Sequence, residues 1–523
     1  MITSNAAMKN IFEKSEKLIT SWTLILPLLF FLYVAALFGT TAILQDGLFE
    51  RDGYYHARFA QMMPERGLDR SFPWTQLSTW RENFCDKEFL YHLAMMPFAQ
   101  IGHDPIFGAR LFALLLSISV LVILFALLRA HHCRWPIFFT ALPLAAGGLF
   151  IARLGMIRSH VLSMAILMIG IHFLLKEKWR ALFVLGFVYA WSYTMPFVLL
   201  MTAVPFVIGK WIGKGGFDWK LPLAAGAGSI LGLVIHPYSP LTLETFLTYL
   251  QVFSIGMQGT GTSGFELGNE IYPYSLPVFF NIYPFIVILV PALLAFVIFR
   301  WEKLTAVTAG LVFAAFFWLG MTAASPRFVE YSVLMLAVAC AFVVRDTISV
   351  SPQAASSFLN KPQLRKIIVI LSMAALVGFH IRSMNFYIHY QSKAAPPRYF
   401  KNASQWMARH MEPGETVINL FWDDFPDLFY DGARQRYIWG LDPTYSIRED
   451  HEKAALLERF RRHELFLDGS GLSRAFQSRY LILRAKREAG FPELAFPPFR
   501  KVYGDNSAVI YVVGQNRPAD VER

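Results

Sequence analysis

The residues best suited to chemistry gather where an apolar run gives way to a loop. Gln45-Asp46-Gly-Leu-Phe-Glu50-Arg51-Asp52-Gly-Tyr-Tyr-His56-Ala-Arg58 places three carboxylates in one short stretch, with Asp52, His56 and Arg58 in a segment that can be helical. A carboxylate in that setting can serve as a general base, or hold a divalent cation opposite a phosphate. The plainer use of the same residues is a solvated interfacial loop with an Asp–Arg pair, and such pairs contribute little. Arginines form the second group. Ala152-Arg153-Leu-Gly-Met-Ile-Arg158-Ser159-His160 lies between two apolar runs, and Ser325-Pro326-Arg327-Phe328-Val329-Glu330-Tyr331 opens another. Arg327 and Glu330 are about one helical turn apart and can face the same side. Guanidinium groups clamp phosphate bidentately, so a lipid-linked phosphate suits them; the alternative is snorkelling to headgroups.

Two further segments carry candidate residues. Gln258-Gly-Thr-Gly-Thr-Ser-Gly264-Phe-Glu266-Leu-Gly-Asn-Glu270 follows His236-Pro237 in a long loop, with five glycines between 256 and 268. Such a loop can close Glu266 and Glu270 over a bound substrate, or simply link two elements. A Gly-rich phosphate cradle would need a Lys-Ser/Thr pair, which is missing. Near the C-terminus, Phe421-Trp422-Asp423-Asp424-Phe425-Pro426-Asp427 and Tyr437-Ile-Trp439-Gly440-Leu-Asp442 mix aromatics with carboxylates. Rings and acids together suit a sugar-binding surface; equally, Asp424 before Phe-Pro is turn chemistry beside an aromatic core.

Composition says what must position these groups. Of 523 residues, 55% are hydrophobic and only 16% charged. Mean hydropathy is +0.41. Soluble chains carry about 25% charged residues, so this chain cannot coat several water-facing domains. A polytopic helical membrane protein remains. The net charge of +11 then belongs to cytoplasmic loops and not to a nucleic-acid surface. Cys85, Cys133 and Cys340 are too isolated for a disulfide framework or a Cys-rich metal site. Lys9, Lys14 and Lys17 precede an apolar run too long for a cleavable signal.

Candidate spans are Trp22–Leu44, Phe107–Leu128, Trp135–Ala152, His160–Leu175, two short helices within Ala181–Trp211, Leu221–His236, Ser275–Phe299, Leu304–Met321, Phe328–Val344 and Lys366–Ile381. That makes about eleven crossings at roughly 20 residues each. With the N-terminus inside, the loops Arg129–Arg134, Lys176–Arg180, Lys210–Lys220, Arg300–Lys303 and Arg345–Lys366 are cytoplasmic, and each is basic. The outer side receives loops 45–106 and 237–274 and the C-terminus. Residues 1–384 thus form the membrane domain, and 385–523 a small outer α/β domain. Within the latter, Arg398–Met411 and His451–Arg462 read as helices, and Thr416–Phe421, Tyr480–Leu483 and Ala508–Val513 as strands.

Together these features resemble the GT-C superfamily of integral-membrane glycosyltransferases, in particular the oligosaccharyltransferase catalytic subunit and its bacterial relatives. Asp52-Gly-Tyr-Tyr-His-Ala-Arg58 matches that family's Asp after the first span with an Arg six residues on. Asp86-Lys-Glu-Phe-Leu-Tyr91-His92-Leu-Ala-Met-Met-Pro97-Phe98, ending at Ala109-Arg110-Leu111, looks like the superfamily's passage into the second span. Pro326-Arg327-Phe328 looks like its late arginine–aromatic helix start, and Trp422-Asp423 stands where oligosaccharyltransferases carry a Trp-Trp-Asp peptide-acceptor motif. Two departures matter: Arg153–His160 lacks the acidic pair that helps those enzymes hold a metal, and Trp422 is followed by Asp-Asp-Phe-Pro.

The resemblance implies transfer of a sugar from a polyprenyl-phosphate or -pyrophosphate donor to a glycan or protein acceptor, on the outer face of a bacterial inner membrane. Inverting transfer is expected, with Asp52 as base or, with Glu266 or Glu270, as ligand to a Mg or Mn ion. Arg327, with Arg58 or Arg158, would neutralise the leaving phosphate. His56, His160, His236, Glu330, Trp422, Asp423 and Asp424 would complete the substrate site. The alternatives are an oligosaccharyltransferase proper, moving a whole glycan to protein, and a transporter or flippase with an outer sensor domain. A transporter predicts ionisable residues at mid-membrane, where this chain offers little beyond His172 and the break at Tyr193–Pro196.

Overall fold

A chain in hydrocarbon must satisfy its own backbone polar groups, so apolar runs become helices. In the computed structural model, residues 25–513 are described except 41, 44–45, 49, 259–267, 269, 351–361 and 395–397. The first run is α1 (Ile25–Thr40). The loop after it holds α2 (Asp52–Arg66) and α3 (Phe89–Ala99). Then follow α4 (Pro105–Ala130), α5 (Pro136–Ala146), α6 (Gly148–Leu154), α7 (Ser159–Leu175), α8 (Trp179–Ser192), α9 (Val198–Ile212) and α10 (Lys220–Val234). The second long loop holds α11 (Leu241–Gln258), and α12 (Leu276–Ile282), α13 (Pro284–Arg300), α14 (Ala306–Ala324), α15 (Val329–Val350) and α16 (Pro362–Ala394) complete the membrane part.

Among the described residues each run read as a span is helical, although Ser275–Phe299, expected as one span, is interrupted at Tyr283 between α12 and α13; the division expected at Tyr193 and Pro196 separates α8 from α9. Among the described residues, α4, α13, α14 and α15 are each long and apolar enough to cross a membrane, and the bent pair α5–α6 makes a fifth. The remaining apolar helices α1, α7, α9 and α10 are shorter. The run Trp135–Ala152, expected as one span, is instead broken by 104° between α5 and α6. Close approach explains the corner. A side chain at Gly147 would meet the Ile282 carbonyl oxygen at 2.5 Å, and one at Gly148 the Ser383 carbonyl oxygen at 2.5 Å. The corner aims α6 so that Arg153 at its end is buried.

Small residues also let α8 and α10 touch backbone to backbone, the usual device where lipid is no worse a solvent than leucine. A Cβ on Gly228 would stand 1.9 Å from the Phe183 carbonyl oxygen, and one on Gly186 2.3 Å from that of Ala225. Gly228→Ala is therefore expected to destabilise the bundle by about 1–3 kcal/mol through overpacking. Thermal unfolding in detergent checks this; an unchanged midpoint would contradict the close contact. Central to the bundle is α15, buried over 89% of its apolar window. The turn before it carries Arg327, and its own first turn carries Glu330.

Beyond α16 the chain builds α17 (Lys401–His410) and a mixed five-stranded sheet in the order β2-β1-β3-β5-β4. The strands are β1 (Thr416–Asn419), β2 (Arg436–Tyr437), β3 (Tyr480–Arg484), β4 (Phe499–Gly504) and β5 (Ala508–Val513). β1 is parallel to β2 and β3, while β5 runs antiparallel to β3 and β4. Helix α18 (Phe425–Gly432) and, further on, α19 (His451–Arg461) cover it. The loop between α1 and α4 packs into this domain: Gln76 and Leu77 donate backbone N–H to Tyr437 O and Ile438 O. Phe72, Trp80 and Phe84 share a core with Phe425, Phe429 and Tyr437. Packing thus crosses the 384/385 boundary read from composition, because the loop's aromatics have no membrane to bury in and use the sheet's surface.

Candidate active site

Asp52 opens α2 at the rim, and its Oδ2 accepts from the Arg158 guanidinium at 2.7 Å. Arg158 stands in the turn between α6 and α7, and its other nitrogen lies 3.4 Å from Glu270. Glu270 also accepts from Arg153 at 2.7 Å and stands 3.5 Å from Arg327. Arg153 in turn donates from Nε and an η nitrogen to Glu330, at 3.0 and 2.8 Å. His160 Nε2 donates to the Arg153 carbonyl at 2.8 Å, bracing that turn from the first residues of α7. Asp52, Arg158, Glu270, Arg327, Arg153 and Glu330 are thus one connected group drawn from five separate segments.

The contacts differ in strength. Those at 2.7–3.0 Å are charge-assisted hydrogen bonds, whereas 3.4–3.5 Å marks weak ones. Arg327 has only a weak contact to Glu270, and its buried Nε has no hydrogen-bond partner among the described residues. Burial would raise the Glu270 carboxyl, but Arg158, Arg327 and Arg153 hold it well below the ordinary range. Glu50 goes the other way. Burial pushes its carboxyl well above the ordinary range, with Asp52 adding to the push and Arg158 opposing it. Glu50 also accepts the Asp52 backbone N–H at 3.1 Å. Glu50 further lines a small cavity of about 60 Å³ between α1, α4 and α6, whose other walls include Phe38, Leu48, Arg110, Ser117, Met156 and Tyr387. A small cavity of mixed polar and apolar lining therefore meets the charged group at Glu50.

No protein-family model and no curated protein matches this chain. Solved structures do. The chain superposes on ArnT from Cupriavidus metallidurans bound to undecaprenyl phosphate with a TM-score of 0.55 at 12% identity, covering 94% of this chain and 99% of that one. It superposes on the mycobacterial arabinofuranosyltransferase AftD with a TM-score of 0.54 at 16% identity, covering 92% of this chain and 40% of that one. The chain therefore shares the fold of ArnT and AftD.

Within this fold not every expected residue reaches the charged group. Arg58 bonds Gln61 at 2.6 Å instead. Six residues after Asp52 at about 100° each, it points to another face of α2. His236 accepts the Tyr238 backbone N–H and lies among the rings of Phe89 and Trp191, apart from the arginines. Asp423 and Asp424 are held by Arg484 and Arg487, with Asp424 buried, and Trp422 packs on the sheet's core. They serve the outer domain's own packing. Glu266 lies outside the described residues.

His56 sits one helical turn below Asp52 in a second buried group. Its Nδ1 is 2.8 Å from His92 Nε2 and 3.7 Å from Glu88 Oε2. His92 Nδ1 faces Asp86 at 2.9 Å. Glu88 Oε1 accepts from Ser159 and Thr194 at 2.7 and 3.0 Å, tying α3 to the turn that carries Arg158. Sequence reasoning quoted Arg153, Glu50, Asp86, Glu88 and His92 without assigning them roles. The available signal was the cost of a buried charge: an arginine on the outer rim beside a lone buried acid implies a pair.

Proposed function

We propose that this protein transfers a sugar from a polyprenyl-phosphate or -pyrophosphate donor to a lipid-linked glycan or protein acceptor, on the outer face of a membrane it crosses about eleven times, N-terminus in. A bacterial inner membrane with a periplasmic outer domain is the setting this implies. The observation that carries the reading is Arg327: a half-buried guanidinium whose buried Nε has no partner among the described residues, weakly held by Glu270, at the group that also contains Asp52. Such a donor wants an anion.

In this reading the acceptor hydroxyl gives its proton to Asp52 as its oxygen bonds to the anomeric carbon. The anomeric C–O bond to the lipid phosphate breaks on the opposite face, inverting that carbon. The bonding pair leaves with the phosphate, and Arg327 and Arg158 stabilise the charge it gains. The phosphate would take over the two weak contacts to Glu270, while Arg153 keeps Glu270 in place. A Mg or Mn ion between Asp52 and Glu270 does not fit this arrangement, since both carboxylates already face guanidinium groups. We therefore assign that pair no metal.

Arg327→Ala should weaken binding of a polyprenyl-phosphate donor roughly 10–100-fold, the worth of about 1.5–3 kcal/mol for a charged hydrogen bond. Titration of the purified protein with undecaprenyl phosphate reads this directly. Unchanged affinity would leave Arg327 with a structural role only and remove the support for a phosphate site.

A further inference from the structure

Below the arginine group, His56, Glu88 and His92 bring three donor atoms within 4.8 Å of one another, all on buried residues. A tetrahedral zinc ion with bonds of about 2.0–2.2 Å holds its donors ~3.4 Å apart. The observed separations, 2.8 Å between the two histidines and 3.7 Å from His56 to Glu88, lie on either side of that value. We infer that His56 Nδ1, His92 Nε2 and Glu88 Oε2 form a binding site for a zinc-class divalent ion, with a fourth position for water.

The surroundings favour a metal over a simple hydrogen-bond chain. Asp86 faces His92 Nδ1 at 2.9 and 3.0 Å through its two oxygens, which fixes the proton there and leaves the Nε2 lone pair directed at His56. That carboxylate–histidine pairing is the usual outer support of a metal-bound imidazole. Glu88 divides its oxygens similarly. Ser159 and Thr194 occupy Oε1, while Oε2 faces His56 at a distance too long for a hydrogen bond but suited to two ligands on one ion. For His56 to ligate through Nδ1, its ring proton moves to Nε2, so the ion replaces the His56–His92 hydrogen bond by a change of tautomer with no net proton release. Two imidazoles and one carboxylate select zinc or its neighbours, not magnesium or calcium.

The site joins the first helix of the outer loop, α2, to the start of α3. His56 is on the same face of α2 as Asp52, one turn away, and Glu88 bonds Ser159 next to Arg158. A metal here would hold the two partners of the Asp52–Arg158 contact in register. This inference stands apart from the glycosyl-transfer reading, because it concerns metal content and not turnover.

The test uses the full-length protein in detergent, stripped with a chelator and then titrated with Zn²⁺ or Co²⁺ alone. Uptake of one Zn²⁺ per chain is expected, with the intense visible absorption of tetrahedral Co²⁺ and a raised melting temperature that Mg²⁺ does not reproduce. Asp86→Asn should weaken Zn²⁺ affinity about 10–100-fold, and His92→Ala should abolish uptake. Should the alanine variant fail to fold, the wild-type titration and Asp86→Asn still decide the matter. Stripped wild-type protein that takes up no stoichiometric Zn²⁺ would overturn the inference. So would uptake that is identical in Asp86→Asn.

Discussion

Asp52→Asn is expected to lower turnover by about 10²–10⁴-fold, the usual worth of a positioned general base. Folded yield and donor affinity should be nearly unchanged. The amide keeps an oxygen that can accept from Arg158, whose bond to Oδ2 is 2.7 Å long, so the local geometry has little reason to move. What disappears is the lone pair able to take the acceptor's proton. Glu50→Gln is the matched control. Burial, aided by Asp52 and opposed by Arg158, pushes the Glu50 carboxyl well above the ordinary range, which favours its neutral form, and glutamine copies that form in shape and polarity. Its turnover at neutral pH should stay within a few-fold of wild type. The sign of its pH effect also follows. A carboxyl raised on folding stabilises below its unfolded value, and that contribution is lost as pH rises through the folded one. Glu50→Gln should therefore lessen the loss of stability as pH rises above the ordinary carboxylate range. Single-turnover assays in vesicles with a polyprenyl-linked sugar separate the two carboxylates. A dead Glu50→Gln beside an active Asp52→Asn would move the base to Glu50.

Arg153→Ala is expected to cost about 3–5 kcal/mol of stability, because it leaves Glu330 charged, buried and alone. Glu330 is 0% exposed, and two of the three hydrogen bonds that Arg153 makes to the acids run to it. Its Oε1 already lacks a partner among the described residues, so no spare bond is at hand. Replacing both residues with methionine should recover most of that stability, since an apolar pair of similar volume avoids the desolvation penalty. It should not recover activity, because Glu270 would lose its strongest anchor, the 2.7 Å bond from Arg153. Unfolding midpoints of the single and double variants decide between the two accounts. A single variant as stable as wild type would mean that the Arg153–Glu330 pair contributes nothing to stability.

Much of the architecture was legible before any coordinates. The helices at the predicted spans, the split at Tyr193–Pro196 and the strands at Thr416, Tyr480 and Ala508 follow from hydrophobic runs, proline and alternation. These are properties of neighbours in the chain. The break at Gly147 was not legible, because its cause is the Ile282 carbonyl, far away in sequence. Nor was the docking of Phe72 and Trp80 onto the sheet, which needs a partner surface formed by residues beyond 400.

The candidate site divides in the same way. Residue type alone marked Asp52, Arg158, Glu270, Arg327 and Glu330, since charges beside apolar runs need partners or solvent. Residue type could not separate Arg327 from Arg58, or place Trp422-Asp423-Asp424 in the outer domain's packing and not at the rim. Those outcomes depend on helical phase and on contacts between segments more than 100 residues apart, such as Asp52 with Arg158. Local composition sets which groups are present and on which side of a membrane they are expected. Only the packing of distant helices decides which charges neutralise one another, because electrostatic attraction in a buried site acts over a few ångströms of space and is blind to distance along the chain.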